Sequence, residues 1–184
     1  MENRVEVRFS GSGGQGIILA GVILAEAAAI YDDKNAVQSQ SYGPEARGGA
    51  SKSEVIISDG DIDYPKATHI DILLALTQVA CDKYVSDMKN DAVLIVDSDE
   101  VTKIPDGDFR AYGVPIFRFA EEKIGKRIVG NIIALGLVVG LTQVVSRKAI
   151  EEAVLSRVPR GTEELNLKAL DLGFEEAKAL KEGR

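Results

Sequence analysis

The sequence predicts an α/β fold, a single Rossmann-like three-layer domain with a mostly parallel sheet and a helical C-terminal region. Three observations carry this expectation. A short alternating segment meets a glycine-rich loop and then an apolar helix, further strand-length apolar runs alternate with helical stretches, and the last third is helical. At 184 residues the chain can bury one sizeable core, so one domain over residues 1–184 is expected.

The elements follow in order. Val5–Ser10 (VEVRFS) alternates as a strand, Gly11–Gly16 is the loop, and Ile17–Ile30 is nearly all Ala, Ile, Leu and Val with one charge, Glu26. Gly21 in this alanine-rich stretch lets the helix lie close on the sheet. A second strand is expected over Ala36–Ser41 and a third over Ser51–Ser58, both flanking the first. Ile70–Leu76 is a buried strand, Gln78–Met88 a helix, Ala92–Val96 a buried strand, and Val114–Phe119 another strand. Asn131–Val145 is an apolar helix, with Asn131 expected to cap it. Arg147–Arg157 and Glu163–Lys181 read as amphipathic helices, the last with Leu165, Ala169, Leu172 and Leu180 near one face.

Composition narrows the function. A net charge of −7 argues against a nucleic-acid surface, which needs clustered Lys and Arg. A single cysteine, Cys81, rules out an internal disulfide and an iron–sulfur cluster held by this chain alone, and suits a reducing compartment. Met1–Arg4 lacks the plan of a signal peptide, and the apolar stretch Ile132–Val145 is too short and too interrupted to span a bilayer. The expected setting is cytoplasmic, with neither a nucleic-acid nor a membrane partner.

Gly11, Gly13 and Gly16 satisfy G-x-G-x-x-G between a strand and a helix. Such a loop turns tightly, lets a ligand approach the backbone, and aims amide donors and the positive end of the helix dipole at a phosphate. A dinucleotide site would also want an acid at the end of the second strand. That strand ends in Gln38-Ser39-Gln40-Ser41 instead, and Asp32 and Asp33 precede it. The other reading is that the glycines serve only helix packing. Residues 38–53 (QSQSYGPEARGGASKS) contain one acid, Glu45, against Arg47 and Lys52. At the same sheet rim, Arg47 can fork onto a phosphate, Lys52 can add a point charge, and Gly48-Gly49 can donate amides. A solvated loop with Arg47 paired to Glu45 is the plainer alternative.

GSGGQG at 11–16, QSYGPEARGGAS at 40–51, EVIIS at 54–58 and Asn131 opening NIIALG resemble the gamma subunit of the 2-oxoacid:ferredoxin oxidoreductases. The resemblance extends to about Leu141. It implies that this chain contributes coenzyme A binding and subunit contacts to a complex that oxidatively decarboxylates a 2-oxoacid to acyl-CoA and reduces ferredoxin. It also implies that thiamine diphosphate, magnesium and iron–sulfur clusters sit on alpha, beta and possible delta partner subunits, with ferredoxin reduced by the whole. The site residues carried over, together with those read from the loops, are Gly11, Ser12, Gly13, Gly14, Gln15, Gly16, Ser41, Tyr42, Arg47, Gly48, Gly49 and Lys52, with no catalytic or metal-binding residue. Tyr42, Gly43, Pro44 and Glu45 complete the second motif. The substrate expected is 2-oxoglutarate. A stand-alone Rossmann-type nucleotide-binding oxidoreductase and the equivalent subunit of an indolepyruvate enzyme are the alternatives.

The remaining candidates read as structural. His69 has no Ser, Cys or Asp constellation that would mark it as a general base, Cys81 is a small apolar filler, and Lys123, Lys126 and Arg127 are a solvated face. Asp97 ends a strand at the ligand-facing rim, where it can cap a turn. Asp59-Gly60-Asp61 and Asp106-Gly107-Asp108 are acidic turns, not a thiamine diphosphate fingerprint.

Overall fold

The computed structural model describes residues 3–42 and 50–183. Its six strands are β1 (Arg4–Gly11), β2 (Asn35–Ser41), β3 (Ser51–Ser58), β4 (Ile70–Ala75), β5 (Met88–Asp97) and β6 (Phe109–Val114). They form one sheet in the order β2-β3-β1-β4-β5-β6. β1, β4, β5 and β6 run parallel, whereas β3 is antiparallel to both β1 and β2. The expectation that β2 and β3 both flank β1 is therefore corrected: only β3 does, and β2 is the edge strand. Only nine residues, 42–50, separate β2 from β3, fewer than the dozen or so that a crossover between parallel strands needs, so the two run antiparallel. The outcome for the rim is unchanged. Gly11 pairs with Ser51, and Ser41 with Lys52, so the ends of β1 and β2 meet the start of β3 along one edge.

The pleat divides the core. Val7 and Phe9 of β1, Val55 and Ile57 of β3, and Leu74 of β4 face α1 (Ile17–Glu26), α4 (Gly130–Thr142), α5 (Arg147–Arg157) and α6 (Glu163–Lys181). Ile56, Leu73 and Leu94 point the other way, under α2 (Gln78–Tyr84). The three layers are thus unequal. Gly21 brings α1 onto β3, where a Cβ would lie 2.0 Å from Ser53 Oγ. α4 is buried from Gly130 to Val139, the interior helix its all-round apolar sequence demands. No helix among the described residues is long and apolar enough to cross a membrane.

Two further boundaries differ from expectation. α2 stops at Tyr84, a 3₁₀ turn spans Val85–Asp87, and Met88 already opens β5. The expected strand Val114–Phe119 is instead the end of β6 followed by helix α3 (Ile116–Phe119), which widens into a π turn over Ala120–Ile124. Pro115 has no N–H for the ladder, and the buried Asp97 carboxylate accepts the Phe117 N–H at 3.0 Å, which fixes the helix start.

Beneath α2 the β1–β3 pair buries charge in compensated groups. Arg8, 2% exposed, pairs with Glu54 and Asp87 and stacks 4.9 Å from the centre of the Tyr84 ring. Glu6 accepts hydrogen bonds from the Thr68 and His69 amides at 2.6 and 2.9 Å and from Arg4 at 3.0 Å. Burial alone would raise its carboxyl; the bonds from the His69 amide, Arg4 and the Thr68 amide outweigh that and hold it below the ordinary glutamate range. A lowered native value stabilises the fold above the unfolded pKa, and that contribution disappears as pH falls through the native one. Glu6→Gln is therefore expected to lower stability by about 1–2 kcal/mol at pH 7, read from urea midpoints. The gap to the wild type should close as pH drops below about 4.

Candidate functional site

At the carboxyl end of β1 the chain turns through Ser12–Gly16 into α1. Gln15 braces the turn: its Oε1 accepts the Ser12 N–H at 2.7 Å and its Nε2 donates to the Leu76 carbonyl at 3.4 Å. Gly11 leaves room for that brace, since a Cβ there would lie 2.2 Å from Gln15 Oε1. Gly14 and Gly16 adopt φ of 86° and 74°, the left-handed region glycine tolerates. Gly16 also packs on Asn131, whose Nδ2 donates to the Gly16 carbonyl at 3.2 Å. Asn131 thus lies within α4 and ties it to the loop; it does not cap the helix as expected.

These contacts separate packing from ligand approach. Gly11, Gly16 and Gly21 are required by neighbours and Gly14 by its backbone angle. Gly13 is required by neither: its φ lies outside the left-handed region, and a Cβ would meet nothing within 4 Å. The first turn of α1 has no side-chain cap and no acidic residue. Its amides are left for an external acceptor.

The loop opens onto a cleft of about 580 Å³. Ser12, Gly13 and Gly14 form one wall, Tyr42 and Ser51 another, and Leu19 and Ile128 an apolar side. Among the described residues no carboxylate lines it, although the chain carries a net charge of −7. Arg157, at its margin, is engaged by Glu26. The absence of an acid at the end of β2 stands as expected. Asp32 serves elsewhere, its carboxylate accepting the Ser146 N–H and hydroxyl at 2.6 Å each.

Of the residues expected at the site, Ser12, Gly13, Gly14, Gly16 and Tyr42 line the cleft, and Gly11 and Gln15 support it from behind. Lys52 stands on the opposite sheet face, with Nζ 2.8 Å from Glu54 and 5.8 Å from the Tyr84 ring centre. Ser41, its pairing partner, shares that face. Arg47, Gly48 and Gly49 lie outside the described residues. Sequence reasoning passed over Leu19 and Ile128, whose only mark was apolar character, and did not single out Ser51, the last residue of the second motif. Cys81 is buried, and burial pushes its thiol up. His69 Nδ1 is 3.0 Å from Thr68 Oγ1, Lys123 pairs with Glu176, and Arg127 with Glu121. Among the described residues no cluster of three metal-ligating side chains occurs.

A cleft walled by a glycine loop and the uncapped start of a helix, with no carboxylate among its described lining residues, defines a module of the anion-binding α/β class. The chain belongs to the pyruvate ferredoxin/flavodoxin oxidoreductase family, whose model matches residues 6–176. It is 56% identical over 179 residues to 2-oxoglutarate synthase subunit KorC of Methanocaldococcus jannaschii, covering 96% of either chain. The solved gamma subunit of a keto/oxoacid ferredoxin oxidoreductase from Geobacter sulfurreducens is 62% identical, with a TM-score of 0.87 over 95% of this chain and 99% of that one. The same fold recurs in 2-oxoglutarate:ferredoxin oxidoreductase from Magnetococcus marinus, solved with 2-oxoglutarate, coenzyme A and succinyl-CoA bound. There the TM-score is 0.83 at 24% identity, and the match spans 96% of this chain but 31% of that one.

Proposed function

We propose that this chain is the gamma subunit of a 2-oxoglutarate:ferredoxin oxidoreductase and that its cleft receives the anionic part of coenzyme A. The carrying observation is Gly13, which no described neighbour requires, at the mouth of a cleft with no carboxylate among its described lining residues. The amides of the loop and of the first turn of α1 would hold a diphosphate, and Tyr42 and Ser51 would supply hydroxyls beside it. Arg47, Gly48 and Gly49 extend this donor set on the motif resemblance. Thiamine diphosphate, magnesium and iron–sulfur clusters belong to sister subunits in this reading, which decarboxylate the 2-oxoacid and pass two electrons to ferredoxin. The acyl group then goes to the coenzyme A thiol. One free, buried cysteine suits a cytoplasmic complex of this kind. A nicotinamide or flavin dinucleotide is disfavoured, because β2 ends without a carboxylate to accept the ribose hydroxyls.

Reconstitution tests the reading. Sister subunits co-purified with the tagged chain should reduce ferredoxin only when 2-oxoglutarate and coenzyme A are both present. A chain that purifies alone and oxidises a substrate with NAD would overturn it. Arg47→Ala in the complex should raise the apparent KM for coenzyme A about tenfold, as expected for one lost charged hydrogen bond. Decarboxylation with an artificial acceptor should change much less; equal loss of both activities would assign Arg47 to assembly.

A further inference from the structure

A helix that is apolar on every side belongs in an interior. α1 and the π turn after it, Ala27–Tyr31, carry one charge between Ile17 and Tyr31, namely Glu26. Ile17, Ile23 and Leu24 are buried against the sheet and α4, and α5 packs on α1 and its π turn, yet one side of α1 is only partly covered, Ile18, Val22 and Ala25 being half-buried there. Ile18, Leu19, Val22, Ala25 and Ile30 form a stripe roughly 18 Å long at 1.5 Å per residue. Leu19 is 38% and Ile30 65% exposed. The surface helices α5 and α6 carry Lys, Arg and Glu outward, so this bare face is particular to α1. Ile128, 79% exposed, and Tyr42, 68% exposed, stand at the end of the stripe nearest the glycine loop. Leu19 and Ile128 also wall a second, mainly apolar cavity of about 270 Å³ beside the cleft.

We infer that this stripe, with Ile128 and Tyr42, is the surface on which a sister subunit of the oxidoreductase docks; the inference rests on the function proposed above. Two observations select that occupant. The Magnetococcus marinus chain contains this fold as 31% of its length, so the module occurs joined to a much larger body; where it is a separate chain, side chains must hold it in place. The stripe also borders the ligand cleft, and in the function proposed above that cleft faces the subunit that reacts with its ligand. The partner face is apolar and uncharged. Glu26 is already neutralised by Arg157, so a charge brought against the stripe would be buried without a counter-ion.

The test is co-expression of the tagged full chain with its sister subunits, comparing wild type, the double variant Val22→Lys/Ile30→Lys, and Val79→Lys. Val79 is 57% exposed on α2, across the sheet from the stripe. Recovery of sister subunits should fall at least tenfold with the double variant and stay at the wild-type level with Val79→Lys. Circular dichroism and the thermal midpoint of the double variant alone should match the wild type. Undiminished recovery with the double variant, or loss with Val79→Lys only, would overturn the inference and leave the function intact. A wild-type dimer in sedimentation that the double variant dissociates, without loss of subunit recovery, would assign the stripe to a second copy of this chain and equally overturn it. If the wild-type chain recovers no subunit at all, the proposed function itself fails, and this surface with it.

Discussion

Gly173→Ala should destabilise the fold by about 3 kcal/mol, at the upper end of what overpacking costs. α4 and α6 cross where Gly136 and Gly173 touch through their backbones. A Cβ on Gly173 would lie 2.2 Å from the Ile133 carbonyl oxygen and 2.8 Å from Gly136 Cα. A backbone obstacle cannot rotate away as a side chain can. α4 is enclosed between the sheet and α6, so it cannot shift without opening the larger core. The measurement is the urea midpoint at unchanged m-value. A loss under about 0.5 kcal/mol, the range of an ordinary surface substitution, would mean that the helices part freely and that the contact is incidental.

Gly13→Val should do the reverse, leaving stability alone and disabling the ligand. A side chain at Gly13 meets nothing within 4 Å and needs no left-handed backbone, so the urea midpoint should stay at the wild-type value. Under the proposed function the same side chain projects where the phosphate would approach the loop amides. Losing one or two hydrogen bonds to a charged group costs about 1.5–3 kcal/mol, which is roughly a tenfold to hundredfold rise in KM for coenzyme A. Steady-state assays of the assembled enzyme at varied coenzyme A would read it. An unchanged KM would remove the glycine loop from ligand binding and return its glycines to helix packing.

Much of the architecture was legible in local pattern. VEVRFS before GSGGQG announced β1 and its loop, and Ser51–Ser58, Arg147–Arg157 and Glu163–Lys181 were read with the bounds the structure has. Long periodic segments carry their own signal, because each turn or pleat repeats the same choice of buried face. β6 was missed: FRAYGV is an edge strand with half-exposed residues and no clean alternation. Its neighbour was misread because the apolar letters of Val114–Phe119 outweighed Pro115, although it is the Asp97 carboxylate, nineteen residues or more upstream of that helix in sequence, that sets its start. The cleft was half legible. Motif spacing located Ser12–Gly16 and Tyr42, but the direction of Lys52 depended on pleat parity and on the pull of Glu54 and Tyr84.

What the sequence determined alone was the class of fold, the family, and the glycine-rich turn between β1 and α1. Those follow from residue types and near-neighbour spacing, which local backbone geometry translates directly. Tertiary structure alone decided that Gly13 has no described neighbour, that Asn131 anchors the loop instead of capping α4, and that Leu19 and Ile30 of an all-apolar helix stay exposed. Each of these turns on atoms brought together from distant parts of the chain, and non-local contacts leave no periodicity for a sequence to display.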